Sequence, residues 1–189
     1  MSPILGIIAS SRLAAVGDFQ SIATVSVGSG GAADVEFTSI PATYTHLQIR
    51  WIARSARSGF ADDNMAMQLN SNTGNNYAWH QLSGNGTTAS AAADSTIANL
   101  RCGRMTAATA GASTFGVGVI DILDYANTNK YRTVRILTGE DNNGDGVMTL
   151  FSGLYQPTTA VTSIKLFSQT GANNFVEYSH FALYGIKEA

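Results

Sequence analysis

The chain of 189 residues is poor in cysteine, in charged residues and in long apolar runs. One cysteine, Cys102, excludes an intrachain disulfide, and the apolar pattern around it predicts a buried, inert thiol. Charged residues make up 13% of the chain, about half the usual share of roughly 25%. A net charge of -2 gives no electrostatic reason to expect a nucleic-acid partner. A surface with so little charge repels its neighbours weakly, which suits a subunit packed against copies of itself or other subunits.

No segment reaches the roughly 20 consecutive apolar residues that a membrane helix needs, so we expect a soluble protein with no membrane partner. The opening stretch, "MSPILGIIASS", lacks the basic region of a signal peptide, and its apolar run is short. We interpret residues 1–18 as an N-terminal arm. The candidate assembly residues are Ile4, Leu5, Ile7 and Ile8, which would pack on a neighbouring subunit. The alternative is that the arm adds an edge strand to its own domain.

Most of the remaining chain alternates with a period of two, which predicts β-strands. "HLQIRWIAR" places Leu47, Ile49, Trp51 and Ala53 on one face, and "YRTVRILT" places Val134 and Ile136 opposite Thr133, Arg135 and Leu137. The other predicted strands are 19–27, 34–40, 64–70, 77–82, 96–105, 115–125, 147–155, 161–168 and 175–185. No window shows a convincing helical period, and the Ala-rich "TTASAAADST" is predicted to be a loop.

Turn-forming residues separate these strands, for example in "NSNTGNN" and "SGNGTT". "YANTNKY" predicts a tight hairpin, and the C-terminal half is interpreted as an antiparallel meander. The predicted fold class is all-β: one antiparallel β-sandwich of jelly-roll type over residues 19–189, preceded by the arm. A helical or α/β fold would need helices that this sequence does not supply.

The stretch "EDNNGDG" allows two interpretations. Asp141, Asn143 and Asp145 match the first half of an EF-hand calcium loop, in which alternate oxygens converge on the ion. The twelfth position of that loop is Ser152 instead of Glu, and both flanks are predicted strands, so the EF-hand interpretation fails. Asp and Asn followed by Gly also suit a β-hairpin. We predict the hairpin and keep a calcium site of another kind as the alternative.

No group of residues in the sequence has the spacing of a catalytic site, and none indicates a cofactor. Arg50, Arg54 and Arg57 lie near Trp51, a combination that suits single-stranded nucleic acid; the polar face of a strand is the simpler explanation. Tyr77 and Trp79 in "NNYAWHQ" could stack on a sugar ring. They share one strand face, so packing in the core is the alternative that we favour.

Several stretches resemble small structural proteins of tailed bacteriophages. They are "MSPILGIIASS", "SIATVSVGSGG", "IPATYTHLQIRWIAR", "VIDILDYANTNKYRTVR" and "TSIKLFSQTGANNFVEYSHFALYGIK". The resemblance covers most of the chain and includes no catalytic motif. It implies a non-enzymatic virion component with a β-sandwich fold, assembled in the host cytoplasm.

The sequence therefore predicts a capsid decoration or cement protein, a homotrimer that contacts other virion proteins such as the major capsid protein. The alternative is a tail or fibre protein that binds a host surface glycan. A small glycan-active enzyme is a third possibility, which the absence of a catalytic constellation disfavours.

Overall fold

The computed structural model describes residues 18–187, and this part of the chain forms twelve strands and no helix. The strands are β1 (Phe19–Ser26), β2 (Asp34–Phe37), β3 (His46–Ala53), β4 (Asp62–Leu69), β5 (Tyr77–Gly84), β6 (Ala89–Ile97), β7 (Leu100–Thr106), β8 (Gly116–Ile122), β9 (Arg132–Asp141), β10 (Gly146–Tyr155), β11 (Ile164–Ser168) and β12 (His180–Ile186). The predicted all-β class is confirmed. With no helix among the described residues, this region contains no helical membrane span.

The strands form two antiparallel sheets packed face to face. The larger sheet has eight strands in the order β1-β12-β3-β8-β9-β10-β5-β6, and the smaller has four in the order β2-β11-β4-β7. If the hairpins β5–β6 and β9–β10 are set aside, the remaining eight strands interleave as two four-stranded sheets with jelly-roll connections. The predicted jelly-roll sandwich is thus confirmed. The two added hairpins widen one of its sheets.

The alternation in the sequence matches the burial in the structure. Leu47, Ile49, Trp51 and Ala53 of β3 are all buried between the sheets, and Val134 and Ile136 of β9 are buried in the same way. Because successive side chains of a strand point to opposite faces, the residues between them face solvent. The same alternation determines which residues lie on the outer face of the larger sheet.

The Ala-rich stretch was wrongly predicted to be a loop. Residues 89–97 form β6, which pairs with β5 and forms one edge of the larger sheet. Residues 89–96 are exposed, so no buried face imposes an alternating pattern on them. The predicted strand 96–105 spans the end of β6 and most of β7.

The predicted meander is correct only for β8, β9 and β10, which are neighbours in the larger sheet. β11 instead lies between β2 and β4, and β12 lies between β1 and β3. Turn residues specify where a strand ends but not which distant strand it joins. The "YANTNKY" connection is also longer than a tight turn, since residues 123–131 separate β8 from β9.

The predicted N-terminal arm, residues 1–18, lies outside the described residues apart from Asp18. This includes its four candidate assembly residues, Ile4, Leu5, Ile7 and Ile8. The chain enters the described fold at β1, one edge of the larger sheet, and β6 forms the opposite edge.

Candidate assembly surface

The outer face of the larger sheet carries two adjacent rows of apolar residues that run across its strands. The first apolar row consists of Val119, Leu137, Leu150, Leu82 and Ala91, which are cross-strand partners in that order. The second apolar row consists of Ile52, Val117, Gly139, Met148, Gly84 and Ala89, also in register.

The large side chains in these rows are well exposed. Among Ile52, Leu82, Val117, Leu137, Met148 and Leu150 the exposed fraction runs from 40% at Ile52 to 63% at Met148. Six strands about 4.8 Å apart, with two rows about 7 Å apart, give a surface on the order of 300 Å². This is within the size of the largest apolar patch on a typical soluble monomer, about 300–600 Å², and such patches are often functional.

Strand register fixes these residues on the outer face. Their neighbours along each strand, such as Ile120, Ile136 and Phe151, fill the core, so a slip of one residue would expose those side chains instead. Gly139 and Gly84 have no side chains to fill the second row, and shallow grooves lie at these positions beside Leu137 and Met148. The surface is therefore ridged and is held in place by the core beneath it.

A polar row borders the apolar rows on one side. It comprises Gln48, Asp121, Arg135, Ser152 and His80, which are again cross-strand partners. Gln48 Nε2 donates a hydrogen bond to Asp121 Oδ1 at 2.8 Å, and Arg135 Nη2 donates to Asp121 Oδ2 at 2.8 Å. An apolar patch with a satisfied polar border is typical of a protein–protein contact surface.

Sequence reasoning did not identify this surface as a site, although a signal for it was present. The alternation already placed Ile52 and Leu137 on the outer faces of their strands. What it could not supply was the register between strands distant in sequence, which brings Leu82 of β5 beside Leu150 of β10.

The calcium candidates lie at the end of β9 and in the turn that joins it to β10, as the hairpin prediction required. The backbone N–H of Asn143 donates to Asp141 Oδ1 at 2.7 Å, and that of Asn142 donates to the Asp145 carbonyl at 2.7 Å. Asn143 and Gly144 have φ values of 60° and 122°. Among residues 18–187 no three His, Cys, Asp or Glu side chains are grouped to hold a metal ion. Asp141 thus shapes the turn through its own backbone contact.

Glu140, next to this turn, is a buried carboxylate that sequence reasoning missed. Its Oε2 has no hydrogen-bond partner within residues 18–187. The pKa of Glu140 is raised from 4.5 to about 7, mainly by burial; Asp62 and Asp145 contribute to the rise, while Arg104 opposes it. Glu140 lies an even number of residues from Val134 and Ile136, which face inward. This spacing along the strand could have predicted its burial.

The two glycan candidates lie inside the sandwich. Tyr77 is fully buried, and its hydroxyl accepts from the Leu69 N–H at 3.0 Å and donates to the Asn72 carbonyl at 3.0 Å. Trp79 is 6% exposed and packs edge-on against Phe151, with ring centroids 6.1 Å apart. Neither ring presents a face to solvent, so packing in the core is confirmed for both.

The three arginines considered for nucleic acid do not form one patch. Arg54 donates to the backbone carbonyls of residues 108, 110, 111 and 114 and so holds that loop. The Arg57 guanidinium lies 3.6 Å from the centroid of Phe60, while Arg50 lies over Phe19 and Tyr184. Arg50 is exposed on β3, as the polar-face explanation requires, whereas Arg54 lies just beyond the end of β3 and binds the loop instead. The predicted burial of Cys102 is also confirmed, and burial raises the pKa of its thiol.

No protein-family model, curated protein or solved structure matches this chain. Inferences about function therefore depend on the chain's own residues and on the surface they form.

Proposed function

We propose that the protein is a non-enzymatic structural component of a tailed-phage virion, and that it serves as a capsid decoration or cement protein. The observation that carries the proposal is the pair of apolar rows on the outer face of the larger sheet. Folding of the monomer does not require Leu137, Leu150 and Met148 on that face. Burial against another subunit gives them a role.

The low charge of the chain supports the same function. With 13% charged residues, its surface opposes close packing against other subunits only weakly. The partners would be further copies of the protein, as a homotrimer, and the major capsid protein. The two apolar rows would bind one of these partners across a junction, so the protein's role would be mechanical.

Burial of the six large side chains in the rows would provide substantial stabilisation. At about 25 cal/mol per Å², an apolar surface on the order of 300 Å² contributes about 7 kcal/mol before the cost of association. That is too little for a tight one-to-one complex, but many such contacts in a closed capsid lattice act together.

The test is incorporation into purified particles, measured by quantitative mass spectrometry. Leu137→Arg places a charge within the first apolar row, and we expect a reduction of at least tenfold in copies per particle. Thr133→Arg is the matched control, since Thr133 is exposed on the same strand outside the rows. It should be incorporated like the wild type.

The copy number decides the position in the particle. Occupancy that follows the number of capsid subunits supports decoration, whereas a few copies at the tail would support the fibre alternative. Absence of the wild-type protein from particles, or normal incorporation of Leu137→Arg, would overturn the proposal.

A further inference from the structure

One edge of the larger sheet lacks the protection that the other three edges in the described structure carry. β2 is a short edge strand of four residues with two acidic side chains, Asp34 and Glu36. β7 carries Arg101 and Arg104 and pairs with β4 through an irregular register, and β1 has a register shift near Ser21. Short length, charge and bulges all discourage edge-to-edge pairing.

β6 has none of these features over most of its length. It is nine residues long, contains neither proline nor a basic residue, and its only charge is Asp94. From Ala89 to Ser95 it pairs in regular register with β5, and the register shift comes only beyond Ser95. Residues 89–96 are exposed on both faces. Such an edge is a template for one more strand.

The two faces of β6 show which kind of strand would fit. Ala89 and Ala91 face outward in the apolar rows, and Ala93 faces outward beside His80 of the polar row. Ala92 and Ser90 face the other way beside Gln81 and Ser83. Small side chains on both faces leave room beside the backbone. An added strand with bulky apolar side chains on both faces would therefore find space on either side.

The N-terminal segment has this composition. Residues 4–10 read ILGIIAS, with Ile and Leu in consecutive positions, so a strand formed there would present apolar groups on both faces. The segment also matches in length, because residues 89–95 of β6 and residues 4–10 are both seven residues long. A β6 strand from a second copy would bring only alanine, serine and the charged Asp94 along residues 89–95.

Chain length determines which copy can supply the segment. β1 and β6 are at opposite edges of the eight-stranded sheet, seven spacings or about 34 Å apart along the sheet. The linker from Ser10 to Asp18 spans at most about 29 Å when fully extended. This is shorter than the path along the sheet to β6 of its own subunit, whereas β6 of an adjacent subunit can lie beside β1.

We infer that residues 4–10 of one subunit pair as an added strand with β6 of a neighbouring copy. The contact is head-to-tail, so it generates a ring if the rotation closes. The inference rests on the proposed function in requiring a homo-oligomer, and it names the segment and the edge that join the copies. Main-chain hydrogen bonds along β6 would provide affinity, and the Ile and Leu side chains would extend the apolar rows.

Disulfide trapping in the full-length chain tests the contact. Cys102, the sole native cysteine, is buried, so it should not form disulfides with the introduced cysteines. Ile7→Cys is mixed in equal amounts with a second variant that has one introduced cysteine, taken in turn as Ser90→Cys, Ala91→Cys, Ala92→Cys and Ala93→Cys. In such a mixture a disulfide between positions 7 and 90–93 can form only between copies.

We expect at least one mixture to give cross-linked dimers containing both variants on a non-reducing gel. Ile7→Cys mixed with Glu36→Cys, on the exposed edge strand β2, is the matched control and should give none. Cross-linking equal to that control, or in no mixture, would overturn the inference. So would disulfide dimers of Ala92→Cys alone, which would indicate β6 paired with β6.

Two further measurements identify the subunit and separate the inference from the proposed function. In the double variant Ile7→Cys/Ala92→Cys, an oxidised monomer without dimers would place the segment on its own β6 and sink the intersubunit pairing. Ala91→Lys/Ala93→Lys should reduce the solution mass to that of a monomer while the circular dichroism stays unchanged. Cross-linked oligomers that are absent from particles would refute only the proposed function. Incorporation into particles without cross-links would refute only the strand pairing.

Discussion

The indole ring of Trp51 on β3 lies directly over the backbone of Gly118 on β8. The two residues are cross-strand partners, and a Cβ atom at position 118 would lie 2.6 Å from Trp51 Cε2 and Cζ2. The same ring crosses to the smaller sheet, where a Cβ at Gly103 would lie 2.8 Å from Cζ2. The indole thus occupies space that only glycine leaves open in both sheets.

Gly118→Ala should destabilise the protein by about 1–3 kcal/mol, because the added methyl group forces Trp51 or a strand to move. The measurement is the midpoint of denaturant unfolding, followed by tryptophan fluorescence. Gly139→Ala on the neighbouring strand is the matched control. Its Cβ would meet only Met148 Cγ at 3.8 Å, so the change should be within about 0.5 kcal/mol. Equal effects at the two positions would contradict the packing argument.

Arg132 is a fully buried cation that holds two connections together. Its Nε donates to the Tyr125 carbonyl at 3.0 Å, and Nη2 donates to the carbonyls of Thr158 and Thr159 at 2.9 and 3.0 Å. Arg132→Met should cost about 3 kcal/mol or more, because the carbonyls lose their donors. The free energy of unfolding measures this loss.

Arg135, three residues along the same strand, is the control for Arg132→Met. Its side chain is 70% exposed and pairs with Asp121. Asp121 is mostly buried but keeps its hydrogen bond from Gln48, and water can replace the exposed guanidinium. Arg135→Met should therefore cost less than Arg132→Met, about 1–2 kcal/mol. If the two variants lose similar stability, the carbonyl contacts of Arg132 are not responsible.

The sequence was sufficient to predict the core residues wherever one face of a strand is buried. The alternation in β3 and β9 located the core residues correctly, since burial of one face requires a period of two. The same parity places Arg132 and Glu140 on the inward face with Val134, although neither was recognised. Strand propensity says nothing about a charged residue whose partners are carbonyls from distant loops.

Sequence reasoning failed where the structure depends on pairing over long distances. β6 escaped recognition because its residues are exposed and rich in alanine, and its partner β5 supplies the reason for its extended conformation. The apolar rows depend on the register of six strands, so no single segment reveals them. The candidate site was therefore visible in the sequence only as isolated outward residues such as Ile52 and Leu137.

Glu140 predicts how stability depends on pH. Its folded pKa of about 7 exceeds the ordinary value of 4.5, so the folded protein binds the proton more tightly than the unfolded chain. The stabilisation is fully present below about pH 4.5 and is lost as pH rises through 7. The Glu140 contribution should therefore lower the melting temperature across this interval.

Glu140→Gln isolates this contribution, because glutamine has a similar shape and does not titrate. The difference between the melting temperatures of the variant and the wild type should grow between pH 4.5 and 7 and then level off. A difference that stays constant with pH would mean that the Glu140 carboxyl is not buried as described.

The turn between β9 and β10 provides the last prediction, which separates backbone geometry from metal binding. Gly144 has φ 122°, a conformation that side chains rarely adopt, so Gly144→Ala should destabilise the protein by about 1 kcal/mol or more. Asn143→Gly should be tolerated, since residue 143 has φ 60°, which glycine adopts without strain.

Melting temperatures of both variants and of the wild type are measured with calcium and with chelator. We expect the same order and the same values in both conditions, because the Asp141 side chain is hydrogen-bonded to the turn itself. A rise of several degrees with calcium, lost in Asp145→Asn, would show that an ion binds the native state and would refute the purely conformational role of the turn.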